Sequence, residues 1–142
     1  MAEISLHRAR SIIRKTLDYG KQQGLKPLSV VVVDAGGHVQ AFERSDGAPA
    51  GRFAIAYGKA HGAVMFGAPS SKLGDIAVER PHFGAALVGA FDGAFIPVAG
   101  GVLVRDKKGK LLGAVGVTGD TSDNDAAAAM AAIEAVGLTG EA

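Results

Sequence analysis

Apolar positions along the chain recur with helical and strand periods in turn. Ala9, Ile12, Ile13, Thr16, Leu17 and Gly20 share one helical face, which predicts an amphipathic helix over residues 5–23. Ser5 stands where an N-cap is needed, Gly24 where a helix stops, and Pro27 lies beyond. Leu28 to Val33 is rich in β-branched residues and predicts a buried strand. Asp34-Ala35-Gly36-Gly37 supplies a turn, and Val39 to Glu43 returns as the second strand of a hairpin. After a loop at Ser45–Pro49, residues 51–66 read as a helix with Phe53, Ala56, Tyr57, Ala60 and Val64 on one side.

The middle of the chain is punctuated more heavily. Pro69 and the Ser70-Ser71 pair break the pattern, and a short helix is expected around residues 71–78. Pro81 with Gly84, Gly89 and Gly93 predicts loop or brief turns. Residues 95–104 read as a strand interrupted by Gly100-Gly101. Asp106-Lys107-Lys108-Gly109 is a turn into a partner strand from Lys110 to Val117. A helix over 123–136, stopped by Gly137, follows. The order α-β-β-α-(α)-β-β-α has its strands in hairpins, so the expected class is α+β, an antiparallel sheet flanked by helices. A length of 142 residues suits a single domain, 1–142.

Composition narrows the chemistry. Gly and Ala supply 21 and 26 residues, which favours close backbone packing. The alanines from Ala126 to Ala135 make a flat face expected to pack on the sheet or on a neighbouring subunit. The absence of Cys excludes disulfides, thiolate metal sites and Cys nucleophiles. The charged N-terminal stretch has no signal-peptide core, and no run approaches the ~18 apolar residues of a membrane span. These features point to a soluble, cytoplasmic protein without a membrane partner. The net charge of +1, without basic patches interleaved with aromatics, argues against nucleic acid as a partner. Residues 1–26 carry six Lys or Arg against two acids, while 111–142 carry five acids and no Lys or Arg. Such regions are either solvated faces or complementary surfaces that meet.

No dinucleotide or P-loop glycine fingerprint occurs. Gly119-Asp120-Thr121-Ser122, at a helix start, offers free amides either to an anion or to the helix's own cap, and Asp120 would oppose an anion. The four histidines, His7, His38, His61 and His82, have no clamp spacing. His7 lies in the first helical turn, opposite Ile12 and Ile13, where it is either an ordinary exposed histidine or a ligand at the surface or at a subunit interface. His38 belongs to a hairpin turn. His61, near the first hairpin's loop, is either a structural imidazole or a general base with Asp34, Arg44 or Asp125 as companion. Arg44, Asp46, Arg52 and Lys59 cluster at a strand-to-helix join, where ligand sites often occur. Either arginine suits a carboxylate, and an Arg44–Asp46 surface pair is the alternative.

Val32-Val33-Asp34-Ala35-Gly36-Gly37 followed by Ala41-Phe42-Glu43-Arg44-Ser45-Asp46-Gly47-Ala48-Pro49 resembles a motif block of the GlcG/HbpS family. Three further blocks agree in order and spacing. They are Ala56-Tyr57-Gly58-Lys59-Ala60, Ile96-Pro97-Val98-Ala99-Gly100-Gly101-Val102, and Gly113-Ala114-Val115-Gly116-Val117-Thr118-Gly119 with Asp125 after it. The resemblance runs from about residue 4 to 137. It implies a profilin-like α+β fold, homo-oligomers from dimers to octamers, and haem or a related tetrapyrrole as small-molecule ligand. Under it His7 is a candidate axial ligand, Arg44 or Arg52 lies near a propionate, and Asp46, Lys59, Gly119, Thr121 and Asp125 complete a ligand-binding set.

The chain departs from the family pattern at Lys59-Ala60-His61-Gly62-Ala63, where a Thr commonly follows two places after the Lys, and at Asp120, where a Gly is usual. The usual Gly-Gly-x-Pro is Gly100-Gly101-Val102-Leu103 here. These departures motivate an alternative: a small catabolic isomerase, hydratase or hydrolase acting on an oxygenated organic acid. His61 would be the general base, Asp120 or Asp125 its orienting group and Arg44 the carboxylate grip.

Overall fold

Ser5 opens the first helix, α1 (Leu6–Gln22), by accepting a hydrogen bond from Arg8 N at 3.1 Å. The computed structural model describes residues 3–142. After α1 come β1 (Ser29–Asp34), β2 (Val39–Arg44), α2 (Arg52–Phe66), α3 (Ser70–Glu79) and α4 (Pro81–Ala90). The chain closes with β3 (Gly101–Arg105), β4 (Leu111–Thr118), α5 (Ser122–Ala135) and β5 (Thr139–Glu141). The strands form one antiparallel sheet in the order β2-β1-β4-β3-β5, so the fold is α+β.

Helices cover both faces of the sheet, which explains why β1 reads as a continuous apolar run. Val30 and Val32 point to one side and pack with Ile12, Ile13, Ala128, Ala129 and Ile133 of α1 and α5. Val31 and Val33 point to the other side and pack with Ala56, Ala60 and Ala63 of α2. In register, Val31 lies opposite Phe42 in β2 and Gly116 in β4, and Val102 in β3 opposite Val115. A third cluster, of Leu73, Leu87 and Phe95, sits beneath α3 and α4.

The structure corrects the reading of the chain in three places. Residues 81–90, expected as loop, form α4. Pro81 occupies the first helical position, where its missing N–H costs nothing, and Gly84 lets α4 lie against Ala77 of α3. Residues 95–100, expected as strand, leave the sheet: Ile96 N donates to Gly58 O of α2 at 3.2 Å, and Pro97 follows. Gly100, at φ +125°, then turns the chain into β3. Finally, the pattern predicts no strand after Gly137, yet the three residues of β5 pair with β3 through Leu103–Glu141 and Arg105–Thr139. The alanine face of α5 packs inward, with Ala128, Ala129 and Ala132 buried. No helix of the described residues is long and apolar enough to cross a membrane.

Candidate functional site

Helix α2 lies between the sheet and the segment at 95–97, and glycines let it do so: Gly58 faces Ile96 and Gly62 faces Phe95. Lys59 stands on this enclosed part of the helix and is 2% exposed. Its Nζ donates to Val117 O at 2.9 Å and to Asp125 Oδ2 at 3.2 Å. Asp125, equally buried in α5, accepts at Oδ1 from Asp120 N at 2.9 Å. Burial lowers the Lys59 pKa and raises that of Asp125, and their mutual attraction opposes both shifts. Nearby, Arg52 Nη1 donates to Thr118 Oγ1 at 2.8 Å. Lys59, Asp125 and Arg52 thus tie α2 to β4 and α5 through contacts within the chain.

The start of α5 is also self-satisfied. Thr121 Oγ1 caps the helix by accepting from Asn124 N at 3.2 Å. Asp120 accepts from Lys26 N, Thr121 N and Asn124 Nδ2 at 3.0, 2.9 and 2.8 Å. These donors, led by the Asn124 amide, hold the Asp120 pKa at about 2. Gly119 presses against Pro27 and Leu28. The amides of Asp120, Thr121 and Asn124 are therefore taken by the chain's own oxygens.

His61 does not meet the carboxylates expected beside it. Its Nδ1 is 2.9 Å from Ala94 O, and its ring lies between Tyr57 and Phe91 at 5.1 and 6.5 Å. Asp34 is turned to its own hairpin, where it accepts from Gly36 N and His38 N at 2.9 Å and faces the His38 ring. Although burial raises its pKa, these bonds leave it lowered overall. With Asp120 and Asp125 bonded elsewhere, an acid–base pair between His61 and either one is not formed. Arg44 and Asp46 are exposed at the end of β2, and no salt bridge joins them among the described residues.

His7 is exposed on the outer face of α1 in a groove of about 430 Å³ lined by Leu6, His7, Arg10, Ser11 and Arg14. A second groove, of about 290 Å³, shares His7 and Ser11 and reaches Ala135 and Val136 at the end of α5. Arg44 and Arg52 line neither groove. Arg10 and Arg14, which carry no expected role, line the first groove beside His7. The signal was available, because positions 7, 10, 11 and 14 share one helical face. An accessible imidazole, an exposed Leu6 and two guanidiniums thus lie together on the outer face of α1.

The family described as "Haem degrading protein HbpS-like" matches residues 4–134. A crystal structure of HbpS superposes with a TM-score of 0.82 at 29% identity, covering 95% of this chain and 91% of that one. A double mutant of the Streptomyces reticuli HbpS superposes with a TM-score of 0.80, also at 29% identity, covering 95% and 88%. A crystal structure of a PduOC:heme complex shares the fold at a TM-score of 0.85 and 24% identity, with 99% of both chains covered. Among proteins of curated function, none matches the chain.

Proposed function

The chain belongs to the HbpS-like family, and on that premise we propose that it binds haem on the outer face of α1 with His7 as axial ligand. The observation that carries this reading is the shared groove of His7, Arg10 and Arg14. An imidazole nitrogen supplies the iron ligand, the guanidiniums pair with propionates, and Leu6 offers apolar surface to the ring edge. Bound haem would supply one-electron and oxygen chemistry. The residues of this chain bind and orient it.

An imidazole on an open helix face covers one side of a flat ring. This favours assembly of further copies of the chain across α1 as part of the reading. Titration of the purified protein with haem, followed at the Soret band, tests it. The wild type is expected to shift and saturate. His7→Ala is expected to weaken binding at least tenfold and change the band, and Arg10→Gln with Arg14→Gln to weaken it with the band unchanged. A band and an affinity identical in His7→Ala and wild type overturn the assignment. Light scattering with and without haem reads the assembly.

A further inference from the structure

We propose a soft-metal site at His61 and Met65, separate from the haem groove and independent of it. Four observations carry it. First, a carbonyl oxygen only accepts, so the 2.9 Å contact with Ala94 O places a proton on Nδ1, and in the neutral ring Nε2 is then the nitrogen with the free lone pair. A backbone carbonyl behind the ring is the arrangement that fixes metal-ligating imidazoles. Second, Nε2 has no hydrogen-bond partner among the described residues, yet it does not number among their buried unpaired polar atoms, so solvent reaches it. Third, Met65 lies one helical turn beyond His61 in α2 and is 38% exposed. Fourth, the two side chains converge over Gly37 in the β1–β2 turn. A Cβ there would lie 2.8 Å from Met65 Cε and 2.9 Å from His61 Cδ2.

Gly37, at φ +83°, carries no Cβ, which lets the two side chains close over the turn. The donor set selects the ion. Among the described residues no group of three His, Cys, Asp or Glu could hold a metal, so the set of ligands that zinc takes is not assembled here. One imidazole nitrogen and one thioether sulfur suit a soft monovalent cation, Cu(I), which thioethers select. Tyr57 and Phe91 flank the His61 ring with aromatic surface. The grooves at His7 do not reach it.

The test is an anaerobic titration of the full chain with Cu(I), with Ag(I) as redox-inert substitute. Binding is followed by a competing chromophoric chelator and by the ¹³C-methyl resonance of Met65. One equivalent is expected to move that resonance. His61→Ala and Met65→Leu are each expected to weaken binding at least tenfold, and His7→Ala to leave it unchanged. Met65 is exposed, so Met65→Leu keeps the fold and gives a clean comparison. Binding unchanged in Met65→Leu, or wild-type affinity no greater than that of the double variant, overturns the proposal. Haem binding that fails in His7→Ala while Cu(I) binding persists separates this site from the first.

Discussion

Lys59 Nζ stands 3.2 Å from Asp125 Oδ2 with both side chains almost wholly removed from water. The pair joins two helices on opposite faces of the sheet, and the carbonyl of Val117 accepts a further hydrogen bond from Lys59 Nζ. Desolvating two charges is costly, and attraction offsets that cost only while both partners are present.

Removing one partner should therefore be expensive. Lys59→Met is expected to destabilise the protein by about 3–5 kcal/mol by stranding a buried carboxylate. Lys59→Met with Asp125→Leu is expected to recover part of that loss. Urea unfolding of the two single variants and the double variant measures the coupling. Additive effects would show that the pair does not act as one unit.

Asp120 makes stability sensitive to acid. Its pKa is about 2 in the folded chain against an ordinary 3.8, so the unfolded state binds the proton more readily. Its contribution is complete above the unfolded value and is lost as pH falls from about 4 toward 2. The stability difference between wild type and Asp120→Asn should shrink across that window. A difference that stays constant from pH 6 to pH 2 would refute this role.

Glycines divide into those that admit a side chain and those that do not. At Gly116 a Cβ would strike the Ala56 carbonyl where α2 rests on β4, and Gly116→Ala is expected to cost about 1–3 kcal/mol. At Gly89 in α4 nothing lies within 4 Å, and Gly89→Ala is expected to stabilise by about 0.5–1 kcal/mol through helix propensity. Thermal unfolding should move in opposite directions for the two.

The inward face of α5 is filled. Ala128 is fully buried among Ile12, Ile13 and the sheet valines, and Ala128→Leu is expected to cost about 1–3 kcal/mol through overpacking. Ala131 is part-exposed beside Lys15 and Tyr19, and Ala131→Leu should be tolerated. Chemical denaturation that ranked Ala131→Leu as the more damaging would contradict the packing described here.

Periodicity and punctuation made most of the architecture legible. The first hairpin, β4, α1, α2 and α5 lie within a residue or two of their expected bounds, because each has a regular apolar face and a cap or turn at its end, whereas β3 starts six residues later than its apolar run. Helix α4 was hidden by Gly84 and Gly89, which resemble breakers until Ala77 is seen against Gly84. The β5 strand was hidden by its brevity. In the candidate site, His7 is legible from its place in the first helical turn, whereas Arg44 and Arg52 at the strand-to-helix join line neither groove beside it. The bond between Lys59 and Asp125 spans 66 positions, and no local pattern encodes it. A weak sign did exist, since Lys59 interrupts the small apolar surface of Ala56, Ala60 and Ala63.

The central β1–β4 seam has a kinetic consequence. Each hairpin closes locally, yet a two-stranded hairpin alone is marginal in water. The sheet becomes whole only when Val32 meets Val115, about eighty residues along the chain, a separation of the kind that slows folding. The rate of folding should thus be governed by the encounter of two preformed ribbons. Side chains at that seam would then set how fast the native state is reached, while those on the outer strands would govern mainly how long it persists.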